Sequence, residues 1–371
     1  MIYLDNAATT APRREAIEAM WPYLTSGFGN PSSRHRVGAE AAAGLKAARK
    51  SVAESLGARA SEIIFTSGGT EADNLAIKGM ALANPRGKHI VTTRLEHAAV
   101  LESVDYLVRF HDFEVSFAEP DEFGRITPAA LEAVLRPDTT LVSIHFANNE
   151  IGTIQPIREL ASDVPFHTDA VQAAGWVDIN VRELGIDALS LSGHKLGAPK
   201  GIGVLWVRGP VALEPVLHGG GQERGARSGT ENVAGAVALA TALRLSLHDD
   251  HLRTTQLRDK FVHTVLNSVP GARLTGHPTE RVPGSASFVF EGVGGEAVLL
   301  ELEERGIMCS SGSACDADSE DASPVLLAIG IPEDLARTAV RFTFSPSTTE
   351  EEASAAARAV VDTVAAVRGL G

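Results

Sequence analysis

Two short segments carry residue types that do chemistry when brought together: Asp169-Ala170-Val171-Gln172 and Ser192-Gly193-His194-Lys195. Each follows an apolar, strand-like run. Their spacing therefore places a carboxylate, an amide, a serine, a histidine and a lysine at the carboxyl edge of one sheet, where open α/β sheets bind ligands. A lysine held near an aldehyde forms a Schiff base, and a carboxylate facing a pyridinium nitrogen keeps such a ring an electron sink. The plain alternative is a solvated lysine and an aspartate that caps a turn. Spacing alone leaves both open.

Other segments deliver polar residues to the same edge. The strand pattern over 63–66 runs into Ser67-Gly68-Gly69-Thr70-Glu71 and then a helical pattern over 72–82. A strand, a glycine-rich turn and a helix amino terminus form an anion site, because free N–H groups and the helix dipole both favour a phosphate. It also reads as an ordinary strand-to-helix turn, and it lacks the Gly-Lys-Ser/Thr ending of a P-loop. A strand over 89–93 leads to Glu96-His97, where a histidine is either functional or a cap. A buried strand over 140–146 delivers Asn148-Asn149-Glu150-Ile151-Gly152, whose amides bind a carboxylate or close a turn.

The elements that must position these residues are those of a soluble α/β chain. With 371 residues, 44% of them hydrophobic and 22% charged, the chain is long enough for one large core and a smaller domain. A net charge of -14 argues against nucleic acid as the main partner. No stretch approaches the roughly 20 apolar residues of a membrane span, and Met1-Ile2-Tyr3-Leu4-Asp5 lacks a signal-peptide pattern, so a cytoplasmic protein is expected. No metal site is expected.

Short apolar strands over 164–167, 188–191 and 202–207 alternate with helical runs and predict a mostly parallel sheet covered on both faces. Residues 4–10 read as an extended arm, and 37–56 as a helix capped by Gly57. The segment His218–Thr230 is too glycine-rich for regular structure and opens onto a helix over 231–247. Beyond a hinge near Asp249-Asp250, helices over 254–269 and 296–304, a strand over 285–290 and a last helix from about Thr349 predict a compact α+β unit. The expected division is an arm over 1–15 associated with the small domain, a large domain over 16–249 and a small domain over 250–371.

The two cysteines, Cys309 and Cys315, lie six positions apart and cannot build a disulfide framework. Cys315 sits in a small, polar, acidic stretch over 310–321, whose composition disfavours packing and makes a thiol accessible. Its acidic neighbours oppose the thiolate, so proton transfer or approaching cationic groups must generate it. Cys309, beside Ile307 and Met308, reads as a small buried filler.

Taken in order, these segments resemble the cysteine desulfurases, pyridoxal-phosphate enzymes of the class V aminotransferase group. The resemblance runs from Tyr3-Leu4-Asp5-Asn6-Ala7-Ala8-Thr9-Thr10 to Arg341-Phe342. It passes through Thr66–Glu71, Glu96-His97, Asn148–Gly152, Asp169–Gln172, Ser192–Lys195, Arg227-Ser228-Gly229-Thr230 and Ser310–Cys315. It implies an aspartate-aminotransferase-like fold, PLP fold type I, with a mostly parallel seven-stranded sheet in the large domain.

The resemblance also implies that Lys195 binds pyridoxal 5'-phosphate covalently and removes the substrate α-proton. Asp169 would pair with the pyridine nitrogen, Gln172 with the ring hydroxyl oxygen, and His97 would stack on the ring and move protons. Gly69, Thr70, Ser192 and His194 would hold the phosphate, with Thr230 supplied across a homodimer interface. Asn149 and Arg341 would hold the substrate carboxylate, and Cys315 would take sulfur from L-cysteine as a persulfide. An iron–sulfur scaffold or a tRNA-thiolating enzyme would then accept the sulfur. The 14 residues between Cys315 and Gly330 resemble the long-loop branch associated with iron–sulfur cluster supply.

Three departures stand out. The interval from Pro156 to His167 is short for a crossover helix, Thr343-Phe344-Ser345-Pro346-Ser347 replaces a frequent Gly-Arg pair, and the chain ends directly after its last helix. Competing readings are a selenocysteine lyase, another lyase or aminotransferase of this fold, and an interaction protein that has kept the fold as a sulfur-carrier platform.

Overall fold

A computed structural model describes residues 1–83, 85–311 and 322–370. Its strands, in chain order, are β1 (Ile2–Tyr3), β2 (Ile63–Thr66), β3 (His89–Thr92), β4 (Glu114–Phe117), β5 (Thr139–Ser143) and β6 (Phe166–Asp169). They continue as β7 (Ala188–Ser192), β8 (Gly203–Val207), β9 (Ala272–Leu274), β10 (Ser285–Phe290), β11 (Ile307–Met308) and β12 (Val340–Thr343).

Seven of them form one sheet in the order β2-β8-β7-β6-β5-β3-β4. β8 runs antiparallel to both its neighbours, and every other pairing is parallel. The carboxyl ends of β2, β3, β5, β6 and β7 therefore share one edge. Strands β5 to β8 are buried along their whole length, which explains why they read as near-continuous apolar runs. One apolar cluster packs Val142, Phe166, Leu189 and Leu191 against the helices Arg36–Leu56 and Val233–Ser246; the other packs Leu141, Ala188 and Leu205 against Gly69–Ala83 and Ala98–His111.

β12, β10 and β9 make a second, antiparallel sheet, covered by the helices His251–Ser268 and Glu350–Leu370. Phe261, Phe288, Phe342 and Phe344 form its aromatic centre.

Several boundaries differ from the sequence reading. The arm begins as a strand: β1 pairs in parallel with β11, Ile2 opposite Ile307 and Tyr3 opposite Met308. Two residues are too few to show a period. The strand expected over 140–146 ends at Ser143, although Ile144 N–H and Phe146 N–H still donate to His167 O at 3.2 Å and Asp169 O at 2.7 Å. The helix expected from Ala72 begins at Gly69. Glycine is required there: a Cβ would lie 2.8 Å from Val171 Cγ2. The short crossover is real, its helix being only Ile157–Leu160. β4 was not anticipated, although Glu114-Val115-Ser116-Phe117 alternates polar and apolar residues as a half-buried edge strand does; four residues are a short signal.

Candidate functional site

The shared strand edge surrounds a cavity of about 270 Å³. β2 delivers Gly69 and Thr70 to its wall, β3 His97, β5 Asn149, β6 Asp169 and Gln172, and β7 Ser192, His194 and Lys195; Arg341 enters from β12. Apart from Cys315, ten of the eleven candidate residues line this one cavity, and the exception is Thr230. It is exposed in the single chain and absent from the wall. Cys315 lies outside the described residues.

The arm closes the cavity. Lys195 Nζ donates to the carbonyls of Ala7 and Ala8, the latter at 2.8 Å, and Gln172 Nε2 donates to Ala7 O at 3.0 Å. Thr10 N–H donates to His194 O at 3.0 Å, and His194 Nδ1 meets Thr9 Oγ1 at 3.1 Å. Asn6 Nδ2 reaches Thr343 O at 2.7 Å, tying the arm to β12.

The local geometry satisfies the plain readings and the chemical ones together. Asp169 Oδ1 accepts from Val171 N–H at 2.8 Å, a turn cap, while the residue still lines the cavity. His97 is the N-cap of Ala98–His111, its Nδ1 accepting from Ala99 N–H at 3.1 Å. Asn148 closes its turn by accepting from Glu150 N–H at 2.8 Å and Ile151 N–H at 3.0 Å, which leaves Asn149 at the wall. Capping fixes these side chains without removing them from the site.

Arg341 is 1% exposed. Its Nη2 donates to Asp5 Oδ1 at 2.8 Å and its Nη1 to Asn149 O at 3.0 Å, so the arm and the 148–152 turn hold the guanidinium from two sides. Burial, with Lys195 and Lys200 nearby, lowers the His194 pKa to about 4 and keeps the ring neutral. Burial also raises the Asp169 pKa, opposed by the Val171 N–H and by His97. Cys309 is half-buried against the aromatic core, and its pKa is pushed up to about 12, chiefly by burial. That is an inert thiol, in keeping with a filler.

Sequence reasoning assigned no role to three buried groups here. Glu96 accepts from His145 Nδ1 at 2.9 Å, from His145 N–H at 3.0 Å and from Thr93 Oγ1 at 2.8 Å. Burial lowers the His145 pKa and Glu96 more than restores it, so the net direction is upward. The third is Asp73, 1% exposed, which also lines the cavity. A signal existed for it: Ala76, Ile77 and Met80 follow at helical spacing, so an acid stands in an apolar stripe.

The turn after β2 suits a phosphate-bearing ligand. The amino terminus of a 15-residue helix opens on the cavity at Gly69, beside Ser192, while Gly68 has open space around a Cβ position. The glycine-rich 218–230 segment is fastened beside this turn. Arg49 donates to both oxygens of Glu223 at 2.6 Å, and Arg227 Nε donates to Glu71 Oε1 at 2.7 Å. A phosphate cradle, a buried acid and a lysine in one cavity fit pyridoxal 5'-phosphate. Among the described residues, no helix is long and apolar enough to cross a membrane.

Residues 2–355 match the family described as Aminotransferase class-V. A Methanosarcina thermophila protein named cysteine desulfurase IscS is 44% identical over 100% of this chain and 93% of its own length. A solved NifS-like protein is 35% identical, covers 98% of this chain and 99% of its own, and superposes with a TM-score of 0.91. Another, SspA in complex with cysteine, is 36% identical over 94% of this chain and 100% of its own, with a TM-score of 0.83. The fold is that of the aspartate-aminotransferase-like α/β enzymes, and the chain belongs to the cysteine desulfurases of the class V aminotransferase family.

Proposed function

We propose that this chain removes sulfur from L-cysteine in the β-edge cavity, giving L-alanine and a persulfide on Cys315 that passes to a sulfur-acceptor protein. The observation that carries this reading is the convergence of Asp169, His97, Lys195 and Arg341 on one cavity from four separate elements of the fold. Pyridoxal 5'-phosphate, when bound, supplies the electron sink for loss of the α-proton. Lys195 would hold it covalently, Asp169 would pair with its ring nitrogen and Gln172 with its ring oxygen, and His97 would stack on its ring. Gly69, Thr70, Ser192 and His194 would hold its phosphate. The exposed Thr230 is assigned to the same task across the interface of a homodimer, and the fastening of its segment by Arg49 and Arg227 supports that use.

Lys195 Nζ takes the substrate α-proton, and the Ala7 and Ala8 carbonyls orient it for that step. Arg341 and Asn149 bind the substrate carboxylate as a fixed fork and an amide. The Cys315 sulfur then attacks the substrate sulfur. One carbon–sulfur bond breaks and one S–S bond forms. The proton lost by the Cys315 thiol balances the one gained at the alanine β-carbon, so no outside oxidant or reductant is needed.

The acceptor is an iron–sulfur scaffold or a tRNA-thiolating enzyme, and the site of action is the cytoplasm. We divide the chain into an arm over 1–15, a cofactor domain over 16–249 and a small domain over 250–371; the start of a helix at His251 and the separate aromatic core support that boundary. Intact mass spectrometry after incubation with L-cysteine tests the reading. One added sulfur is expected on the parent and none on Cys315→Ala. Unchanged sulfur loading in the variant would sink it.

A further inference from the structure

The wall of the cavity contains an acid with no role so far. Asp73 projects from the helix Gly69–Ala83 and is 1% exposed. Its Oδ1 is buried without a hydrogen-bond partner among the described residues. The nearest basic group is His167 Nε2, 3.7 Å from that oxygen. This imidazole offers no positive charge. It is buried between two hydroxyls, Nδ1 at 2.9 Å from Ser143 Oγ and Nε2 at 2.9 Å from Ser190 Oγ, and burial lowers its pKa to about 3.

Asp169 lines the same cavity and differs in its surroundings. It has the Val171 N–H at 2.8 Å, and His97 and His145 face it as positive or potentially positive groups. Glu96, on the far side of His145, adds negative charge to both aspartates. Two carboxylates in a common dry site cannot both ionise cheaply. The proton goes to the one lacking a cation, which is Asp73. Its pKa is accordingly raised well above the usual value, first by burial and then by Asp169, against a hydrogen bond from Ser190.

The geometry points to Asp73 as a positioning residue for the desulfurase reaction: it stays a neutral, protonated acid behind Asp169, so that Asp169 is the only carboxylate of the pair to carry charge toward the cofactor ring. This rests on the reading that Asp169 faces the ring nitrogen. A neutral Asp73 leaves the dyad with one negative charge, the amount a single pyridinium needs. An ionised Asp73 would add a second buried charge with the Ser190 hydroxyl beside it but no cation to balance it.

The test uses the cofactor-loaded enzyme and Asp73→Asn, Asp73→Ala and Asp169→Asn. Infrared difference spectra of parent against Asp73→Asn are expected to show a protonated-carboxyl C=O band at neutral pH. The asparagine variant, neutral and of the same shape, is expected to keep kcat and the pH titration of the cofactor's visible band close to the parent's. Asp73→Ala, which is uncharged as well, is expected to leave the titration of that band in place and to lower kcat about tenfold with little change in KM, the scale of one buried hydrogen bond.

A carboxylate stretch instead of the C=O band, or a shifted titration in Asp73→Asn, overturns the proposal. So does a shifted titration in Asp73→Ala. Asp169→Asn is the separate control: if its visible band is unchanged, the assignment of Asp169 to the ring nitrogen fails, whatever the infrared result for Asp73.

Discussion

Arg341→Gln is the sharpest test of how the substrate is held. In the parent, the guanidinium is 1% exposed and fixed by Asp5 Oδ1 at 2.8 Å and Asn149 O at 3.0 Å. It is held ready for a carboxylate, so binding costs little reorganisation. A hydrogen bond to a charged group contributes about 1.5–3 kcal/mol, which corresponds to roughly a 10- to 150-fold rise in KM for L-cysteine. The ground state and the transition state use the carboxylate alike, so kcat is expected to change much less. The backbone role of residue 341 survives the change, because its N–H still donates to Ser310 O at 2.6 Å. Glutamine does strand the Asp5 carboxylate, whose side chain is 21% exposed. The double variant Asp5→Asn/Arg341→Gln therefore separates loss of fold stability from loss of binding. The assay is steady-state alanine production with L-cysteine and with its ethyl ester, which lacks the carboxylate charge. A KM for L-cysteine within twofold of the parent's, in either variant, would refute the assignment of Arg341. An equal rise for the ester would refute it as well.

Further outcomes follow from the other contacts. Lys195→Ala is expected to abolish both alanine formation and the visible absorption of the lysine-bound cofactor, read by spectroscopy of the purified protein. Among the described residues, Arg49→Met leaves the 1%-exposed Glu223 carboxylate with only the Phe65 N–H at 3.2 Å as hydrogen-bond donor, and urea unfolding is expected to show a loss of about 3–5 kcal/mol. For pH, His167 protonates near 6.5 when unfolded and near 3 when folded. The unfolded chain therefore binds more protons in that window, and stability falls as pH drops from about 6.5. His167→Asn should flatten the slope of the unfolding free energy between pH 6.5 and 5; an unchanged slope would exclude a neutral buried imidazole. Asp73 acts with the opposite sign: its raised pKa contributes stability at low pH that is lost as pH rises above the ordinary carboxylate value. Asp73→Asn should therefore make the neutral-pH protein more stable relative to the parent than the acidic one.

Local chemistry was the most legible part of the sequence. Asp169, Ser192, His194 and Lys195 follow strands whose apolar runs are long enough to identify, and strand ends on one sheet face one way. The helix Arg36–Leu56 was legible for a similar reason: its Gly57 cap has φ 66°, a left-handed conformation that glycine adopts without strain. Long-range partners were not legible. Glu96 and His145 are separated by 49 residues, and neither flank predicts that the two β-edge turns will touch. β1 fails as a pattern because a two-residue strand has no period, and its partner is more than 300 positions away. Thr230 and Cys315 are a different case. The single chain leaves the first at its surface, and the second lies outside the described residues, so both rest on the resemblance.

The arm also has a consequence for how the molecule comes into being. Ile2 pairs with Ile307, and Asn6 bonds Thr343 across 337 positions of sequence. The arm must wait for partners made more than 300 positions later before it finds its place. At about 5–20 residues per second that wait lasts on the order of 15–70 s. Meanwhile the central sheet has all its strands and can form, but the Ala7 and Ala8 carbonyls that hold Lys195 have no β11 to anchor them. The lysine is thus settled only once β11 and β12 have been made, so synthesis orders assembly: scaffold before reactive centre.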